Sequence, residues 1–297
     1  MIKIFSAATS LGSFNQGTEL APQAILKESL RPALEKNRLK YSIHEPLELF
    51  NADLGDNPRF RFHQALVEYN NTLYSEISEN TTANDTVVTI GGDHSVAIGT
   101  MFASKLRHGD SVVVYIDAHP DCNGPDTTPT GNIHGMPLAT VLGDSLYSDF
   151  ELPKFDYDEV MLIGIKDADK SEIDYLARNG IMNLSMDEVT ENGIAQCVKT
   201  LSRQIAGRPV HISLDIDSID VSEAPGTGII NKGGFSFREI SYLCRHLAKE
   251  NVIAIDVVEV NPTKDINKKT QHLAAELTIN LLGCEWSAYM RYLSSKH

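Results

Sequence analysis

The chain has 297 residues, of which 42% are hydrophobic and 22% are charged, and this composition indicates a globular protein rather than a disordered or fibrous one. Its formal net charge of -14 repels phosphate groups, and no cluster of Lys and Arg offsets it. Neither nucleic acid nor an anionic membrane is therefore expected as a partner. The four cysteines are widely spaced, which indicates a reducing compartment rather than a disulfide scaffold.

The N-terminal segment lacks an apolar stretch long enough for a signal sequence. No run in the chain approaches the roughly 18 apolar residues of a membrane-spanning helix. We therefore expect a cytoplasmic protein without membrane contact. Because no repeat, low-complexity tract or linker divides the sequence, a single domain over residues 1–297 is predicted.

Short β-branched and apolar runs alternate with amphipathic segments along the chain. The runs predict strands at residues 86–90, 111–116, 160–165, 210–214 and 252–258. Continuous apolar runs of this length are typical of strands buried on both faces of a parallel sheet. Helices are predicted at residues 170–179, 193–206, 237–250 and about 268–293. The alternation predicts an α/β fold, a three-layer αβα sandwich with a mostly parallel sheet.

Two long segments, residues 123–137 and 221–235, are rich in Gly, Pro and Thr, and each follows the carboxyl end of a predicted strand. Loops of about fifteen residues in a compact domain are usually functional. Ligands of open α/β sheets bind at the carboxyl ends of the strands. The functional site is therefore expected where these loops leave the sheet.

The strongest local signal is Asp117-Ala-His119-Pro-Asp121, directly after an apolar run. If the backbone stays extended there, alternate side chains share one face and these three groups converge. Similar residues stand at two other predicted strand ends: His94, Asp215 and Asp217. Taken separately, the first motif also fits a helix cap or a single structural ion, and His94 also fits a buried polar residue with satisfied hydrogen bonds.

Together these residues are four carboxylates and two imidazoles, and four negative charges match two divalent ions. Burying so many carboxylates without metal would cost several kcal/mol per ion. Oxygen and nitrogen donors without thiolate suit Mn, Zn, Fe or Ni, and the excess of carboxylates favours Mn. Two ions about 3.5 to 4 Å apart lower the pKa of a shared water. The pattern therefore predicts a dinuclear hydrolytic site.

Five segments, in this order, resemble the ureohydrolase superfamily and within it the arginase family. They are Gly91-Gly-Asp-His-Ser95, Asp117-Ala-His-Pro-Asp121, Gly131-Asn-Ile-His-Gly135, Ser213-Leu-Asp-Ile-Asp217 and Val258-Glu-Val-Asn-Pro262. The resemblance implies an arginase-like fold and hydrolysis of L-arginine to L-ornithine and urea. It also implies two Mn²⁺ per chain, with Co²⁺, Ni²⁺ or Zn²⁺ as alternatives, and a homotrimer or homohexamer.

The resemblance also implies a role for each motif residue. One metal would be bound by His94, Asp117, Asp121 and Asp215, and the other by His119, Asp117, Asp215 and Asp217. A bridging hydroxide would attack the guanidinium carbon, and Asp121 would pass on its proton. His134 would carry a proton to the leaving amine, and Glu259 would pair with the guanidinium. Without the motif context, His134 would be a loop-stabilising residue and Glu259 a buried ion-pair partner.

The substrate residues implied by the resemblance lie in two segments. Asn123 and Thr130 match polar positions that bind the α-carboxylate in arginases, and Asp169 and Glu172 match residues that meet the α-ammonium. Agmatine lacks the carboxylate and would leave the first pair without a partner. Asp169 and Glu172 also fit a capping box at the start of a helix.

Some positions depart from the family pattern. Ile229-Ile230 stands where arginases usually have Thr-Pro, Thr130 where Ser is usual, and Gly124 where Thr is usual. Two alternatives follow: a sister amidinohydrolase acting on agmatine, guanidinobutyrate or another guanidino acid, and a non-catalytic metal-binding regulatory protein. Cys122 is expected to be a small buried side chain outside the chemistry.

Overall fold

The structure is a computed structural model that describes residues 1–13, 15–49, 60, 62–144 and 152–284. Within these ranges one sheet contains the following strands: β1 (Ile2–Thr9), β2 (Tyr41–Ile43), β3 (Leu47–Leu49), β4 (Thr86–Gly91), β5 (Val112–Ile116), β6 (Val160–Ile163), β7 (Met182–Leu184), β8 (Pro209–Asp215) and β9 (Asn251–Val258). The spatial order is β2-β1-β4-β9-β8-β5-β6-β7, and β3 also pairs with β1. Every pair among these strands is parallel.

Helices cover both faces of the sheet. They are α1 (Ala21–Ile25), α2 (Arg31–Lys36), α3 (His63–Asn80), α4 (Ala97–Arg107), α5 (Pro137–Leu142), α6 (Lys170–Asn179), α7 (Met186–Asn192), α8 (Ile194–Ile205), α9 (Phe237–Leu247) and α10 (Lys269–Leu281). Helices α1, α2 and α7 to α10 pack on one face, and α3 to α6 pack on the other. The predicted three-layer αβα sandwich is thus confirmed. No helix in the described ranges is both long and apolar enough to cross a membrane.

The apolar runs that predicted strands are confirmed as β4, β5, β6, β8 and β9, with end points that differ by a few residues. Strand β6 ends at Ile163 rather than at residue 165 because Gly164, at φ 101°, turns the chain out of the sheet. Each inner strand is buried along almost its whole length. Burial on both faces produces the continuous apolar runs that made these strands recognisable.

The predicted helices at residues 170–179, 193–206 and 237–250 correspond to α6, α8 and α9, and α9 ends three residues early, at Leu247. The prediction of a final helix to about residue 293 is wrong, because α10 ends at Leu281 and Gly283 follows with φ 75°. A glycine in the left-handed region is a common helix terminator. Residues 285–293 of that prediction lie outside the described ranges.

Gly92 fixes the path of the chain where it leaves β4. Its N–H donates to Ala7 O at 2.7 Å, and its carbonyl accepts from Glu259 N at 2.8 Å. A Cβ atom at this position would lie 1.8 Å from Thr9 O, a distance that no side chain could occupy. The segment after β4 is therefore held between the ends of β1 and β9.

We expect Gly92→Ala to lower the free energy of unfolding by about 3 kcal/mol, because the backbone must shift to relieve the overlap with Thr9. Urea-induced unfolding followed by circular dichroism measures the change. Gly109→Ala is the matched control: a Cβ there has nothing within 4 Å, so its effect should stay within about 0.5 kcal/mol. Equal stability of the two variants would contradict the tight path assigned to residue 92.

Candidate active site

The motif residues of the sequence meet at one edge of the sheet. Strands β4, β9, β8 and β5 are consecutive neighbours, and all run in the same direction, so their carboxyl ends lie side by side. The residues that follow or end these strands are His94, Glu259, Asp215, Asp217, Asp117, His119 and Asp121. The topology therefore brings together groups that are far apart in the sequence. For example, His94 N donates to Glu259 Oε1 at 2.9 Å, although the two residues are 165 positions apart.

The first cluster surrounds His94. Its Nδ1 lies 3.0 Å from Asp117 Oδ2, 3.1 Å from Asp121 Oδ2 and 3.1 Å from Asp215 Oδ2. Its Nε2 lies 2.9 Å from Ser213 Oγ. All five side chains belong to buried residues. One ring nitrogen of His94 thus faces three carboxylates while the other is held by a hydroxyl.

The second cluster surrounds His119, whose Nδ1 lies 3.2 Å from Asp217 Oδ2 and 3.5 Å from Asp117 Oδ1. Asp117 therefore contributes one oxygen to each cluster. Asp215 contacts the first imidazole through Oδ2, and its Oδ1 accepts a hydrogen bond from Asp217 N at 2.8 Å. On its far side, His119 Nε2 lies 3.5 Å from Asn231 Nδ2.

Asp117, His119 and Asp121 lie in the two adjoining clusters, but the extended backbone on which their expected convergence was conditional does not persist. Asp121 has φ 50°, in the left-handed region, so the chain does not continue as an extended strand. This turn directs Asp121 toward His94, in the first cluster, while His119 belongs to the second. Extended geometry would have placed all three groups in a single row.

The electrostatics of the clusters favour a bound cation. Burial raises the pKa of Asp117 to about 6, and repulsion from Asp121 and Asp217 adds to the increase. Burial and the neighbouring carboxylates also raise the pKa of Asp215 well above its usual range. Among the described residues, the buried atom Asp217 Oδ1 has no hydrogen-bond partner, and Asp117 Oδ2 faces the His94 Nδ1 that it shares with Asp121 and Asp215. These carboxylates therefore repel one another without enough donors to compensate.

Two groups of residues could each hold a metal ion, since within each group the possible ligand atoms all lie within 4.8 Å of one another. They are His94, Asp117 and Asp215 in one group, and Asp117, His119 and Asp217 in the other. With Asp121, which also faces His94 Nδ1, the clusters contain four carboxylates, whose charge would balance that of two divalent ions. Oxygen and imidazole donors suit borderline and hard divalent metals. The residues present thus fit a pair of such ions.

His134 and Glu259 lie together beside the clusters. His134 Nδ1 is 3.0 Å from Glu259 Oε1, the same oxygen that accepts from His94 N. Burial opposes the charged form of His134, but the hydrogen bond and charge of Glu259 outweigh it and raise the pKa of His134 to about 9. The imidazole of His134 therefore carries a proton at neutral pH.

A cavity of about 130 Å³ opens above the clusters. It brings most of the predicted site residues to one surface: His119, Asp121, Asn123, Thr130, His134, Asp169, Glu172, Asp215, Asp217 and Glu259. Ile229, at one of the positions that depart from the family pattern, also lines it, whereas Ile230 is 61% exposed. A larger surface cavity, of about 630 Å³ beside β2 and α1, contains neither cluster.

The candidate substrate residues already bond to one another. Asn123 Nδ2 donates to Asp169 Oδ2 at 3.0 Å. Glu172 accepts from Asp169 N at 3.0 Å and from Cys122 N at 3.2 Å, so the capping-box alternative is confirmed at the start of α6. Burial raises the pKa of Glu172 to about 7. Thr130 is exposed, and its Oγ1 accepts from Asn132 N at 3.1 Å.

Cys122 is buried and its Sγ lies 3.8 Å from Glu172 O, which fits the expected role of a small packing residue. Three further residues contact the clusters and were given no role from the sequence, although Ser213 begins one of the five segments: Tyr115, Ser213 and Asn231. Tyr115 and Ser213 each stand two positions before an aspartate of the first cluster. The period-two alternation of strands could have indicated both.

We expect Mn²⁺ to raise the free energy of unfolding of the metal-free protein, because the cation relieves repulsion that exists only in the folded state. At a free concentration about 100 times Kd, the increase is about 2.7 kcal/mol for one ion. Calorimetry with and without Mn²⁺ measures it. Asp217→Asn should reduce the increase, whereas Asp174→Asn, at an exposed carboxylate paired with Lys170, should preserve it. The same increase in both variants would place the cation elsewhere.

Comparison with known proteins identifies the family. The Arginase family matches residues 1–283. Arginase from Staphylococcus aureus (strain MSSA476) is 32% identical, with 95% of each chain covered. The solved native arginase of Bacillus caldovelox has a TM-score of 0.91 at 30% identity and covers 96% of this chain and 99% of its own. Proclavaminate amidino hydrolase from Streptomyces clavuligerus has a TM-score of 0.77 at 26% identity, with 95% and 90% covered. The chain belongs to the arginase family of hydrolases.

Proposed function

We propose that this protein is a dinuclear metal-dependent hydrolase that converts L-arginine and water to L-ornithine and urea. The main support is the pair of His/Asp clusters that share Asp117 beneath a cavity lined by Glu259. The whole chain would act as one arginase-like domain. The cytoplasmic location and the homotrimeric or homohexameric assembly remain predictions.

The proposed ligands divide between the clusters. His94, Asp117, Asp121 and Asp215 would hold one ion, and His119, Asp117, Asp215 and Asp217 the other. The fit rests on the unpaired buried oxygen Asp217 Oδ1, on the three carboxylates that share the one ring nitrogen of His94 and on the match of four carboxylates to two divalent charges. Carboxylate-rich donors favour Mn²⁺, and Co²⁺, Ni²⁺ or Zn²⁺ would also suit them. Such ions would supply a nucleophile at neutral pH, because metal binding lowers the pKa of water.

The reacting end of the substrate would bind at Glu259. Its carboxylate is 3% exposed and borders the cavity, where a planar guanidinium offers paired N–H donors that match two carboxylate oxygens. Binding there directs the guanidinium carbon toward the clusters. Asp121, which also lines the cavity, would accept the proton that the attacking water releases.

His134 would supply the proton that the leaving amine needs. It borders the same cavity and, with its pKa raised to about 9, is protonated at neutral pH. Transfer of this proton to the departing nitrogen releases ornithine as an amine rather than as an unstable amide anion. The hydrogen bond to Glu259 keeps the imidazole beside the carboxylate that binds the guanidinium.

The amino-acid end of the substrate would reach Asn123, Thr130, Asp169 and Glu172 at the other side of the cavity. The amide and hydroxyl suit the α-carboxylate, and the two carboxylates suit the α-ammonium. Because Asn123 already donates to Asp169, substrate binding would exchange that hydrogen bond for one to the substrate. Agmatine offers no carboxylate for the exchange and should bind less well.

A sister amidinohydrolase is the second candidate. Ile229 places an apolar side chain in the cavity, which would suit a different guanidino compound. A relative of similar fold is named for proclavaminate rather than for arginine. A non-catalytic metal-binding regulatory protein would be expected to lose groups such as His134 and Glu259, and both are present here.

Urea release tests these candidates directly. Metal-free protein is reconstituted with Mn²⁺, Co²⁺, Ni²⁺ or Zn²⁺ and assayed with L-arginine, agmatine and guanidinobutyrate in parallel. We expect metal-dependent urea release with a clear preference for L-arginine. Release from another guanidino compound alone would assign the chain to a sister enzyme, and no release under any condition would favour the regulatory protein.

We expect Glu259→Gln to lower kcat/KM for L-arginine by about 30-fold or more, because loss of a buried charge pair costs about 2 to 5 kcal/mol. Metal content should remain that of the wild type, since Glu259 belongs to neither cluster. Steady-state kinetics and elemental analysis measure the two quantities. Glu68→Gln, at an exposed carboxylate on α3, is the control and should leave both unchanged. Unaltered kinetics in Glu259→Gln would argue against guanidinium binding at this residue.

A further inference from the structure

A buried tyrosine contacts the first cluster. Tyr115 lies in β5 and is completely buried. Its hydroxyl donates to Asp121 Oδ2 at 2.9 Å and lies 3.1 Å from His94 Nδ1. Its ring stacks on the imidazole of His94, with centroids 4.6 Å apart and planes 7° from parallel. One side chain thus touches two of the four residues proposed to hold the first ion.

The single proton of this hydroxyl has two possible acceptors, Asp121 and the His94 ring. A cation bound to His94 Nδ1 uses the lone pair of that nitrogen, so only the Asp121 carboxylate can then accept the proton. A phenol is protonated at neutral pH, since its ordinary pKa is about 10. In the metal-loaded protein, Tyr115 would therefore donate to Asp121.

The backbone of Asp121 is in a conformation that non-glycine residues rarely adopt, with φ 50°. Its carbonyl accepts from Leu138 N at 3.0 Å, which holds the main chain. The side chain borders the open cavity. Among the contacts in the described ranges, the Tyr115 hydroxyl is the neutral donor that fixes the direction of this carboxylate.

The contact is confined to one cluster. Tyr115 makes no hydrogen bond to His119 or Asp217 within the described part of the chain. The second imidazole instead has Asn231 beside its outer nitrogen. Hydrogen bonds from residues behind a metal ligand orient that ligand and set metal affinity. Removing the hydroxyl should therefore affect the two ions unequally.

We propose that Tyr115 is a positioning residue that holds Asp121 and the His94 ring in the arrangement that binds the first ion, and so sets the affinity of that ion selectively. Its ring fixes the plane of the imidazole, and its hydroxyl fixes the carboxylate. The inference rests on the metal centre of the proposed function and does not depend on which guanidino compound is the substrate.

The test compares Tyr115→Phe with wild type by calorimetric titration of the metal-free proteins with Mn²⁺. Phenylalanine keeps the stacked ring and removes only the hydroxyl. We expect two binding events in wild type, and in the variant one of them weakened about 10- to 100-fold. Tyr69→Phe is the matched control, because this buried tyrosine on α3 also loses a 2.9 Å hydrogen bond, to Leu47 O. Both binding events should be unchanged in the control.

Two further backgrounds assign the weakened event to a cluster. In His119→Ala protein, which keeps the imidazole of the first cluster, adding Tyr115→Phe should lower Mn²⁺ affinity. The His94→Ala protein keeps the imidazole of the second cluster. In that background, adding Tyr115→Phe should leave the Mn²⁺ affinity unchanged. The electron paramagnetic resonance spectrum of bound Mn²⁺ should change in the first background only. Wild-type affinities in Tyr115→Phe, or equal weakening of both events, would overturn the proposal.

Metal binding is measured without substrate, so the outcomes separate two claims. Wild-type protein that binds two ions but releases no urea from any guanidino compound contradicts the proposed hydrolysis and leaves the comparison of Tyr115→Phe with wild type valid. Wild-type protein that binds no divalent ion contradicts the metal centre and the role of Tyr115 together.

Discussion

The mutual repulsion of four buried carboxylates is the constraint on which the rest of this structure depends. Asp117, Asp121, Asp215 and Asp217 lie at one edge of the sheet with two imidazoles and too few hydrogen-bond donors. Burial raises the pKa of Asp117 to about 6, whereas the hydrogen bond and charge of the His94 imidazole outweigh burial and hold the pKa of Asp121 below its usual range. The parallel sheet with helices on both faces supplies the rigidity that holds these groups together. The same repulsion that weakens the metal-free fold gives the site its attraction for cations.

The inner strands could be predicted because burial on both faces leaves long apolar runs in the sequence. Strand β1 was not identified, since Lys3, Ser6 and Thr9 interrupt its pattern. Strands β2, β3 and β7 have three residues each, which is too short for any periodicity to be recognised. The length of α10 was overestimated because apolar residues continue at helical spacing past the point where the chain turns at Gly283.

The site residues that directly follow strands could be predicted from the sequence, whereas the contacts between residues of different loops could not. Asp117, Asp215 and His94 follow recognisable strands, so their convergence could be inferred from a parallel sheet. The pairing of His134 with Glu259 joins residues 125 positions apart, and that of His119 with Asn231 joins residues 112 apart. Such contacts depend on how whole loops pack, which no local pattern encodes.

The backbone amides around Gly92 also have a consequence for motion. The N–H of Gly92 donates to a carbonyl of β1, and the N–H of Glu259 donates to Gly92 O. The N–H of His94 donates to the side chain of Glu259. Amide protons bonded in this way at a buried sheet edge exchange with solvent only when a large part of the fold opens. These three amides are thus expected among the slowly exchanging ones of the molecule. The main chain that carries His94 and Glu259 is therefore fixed by the sheet itself and does not wait for a ligand to order it.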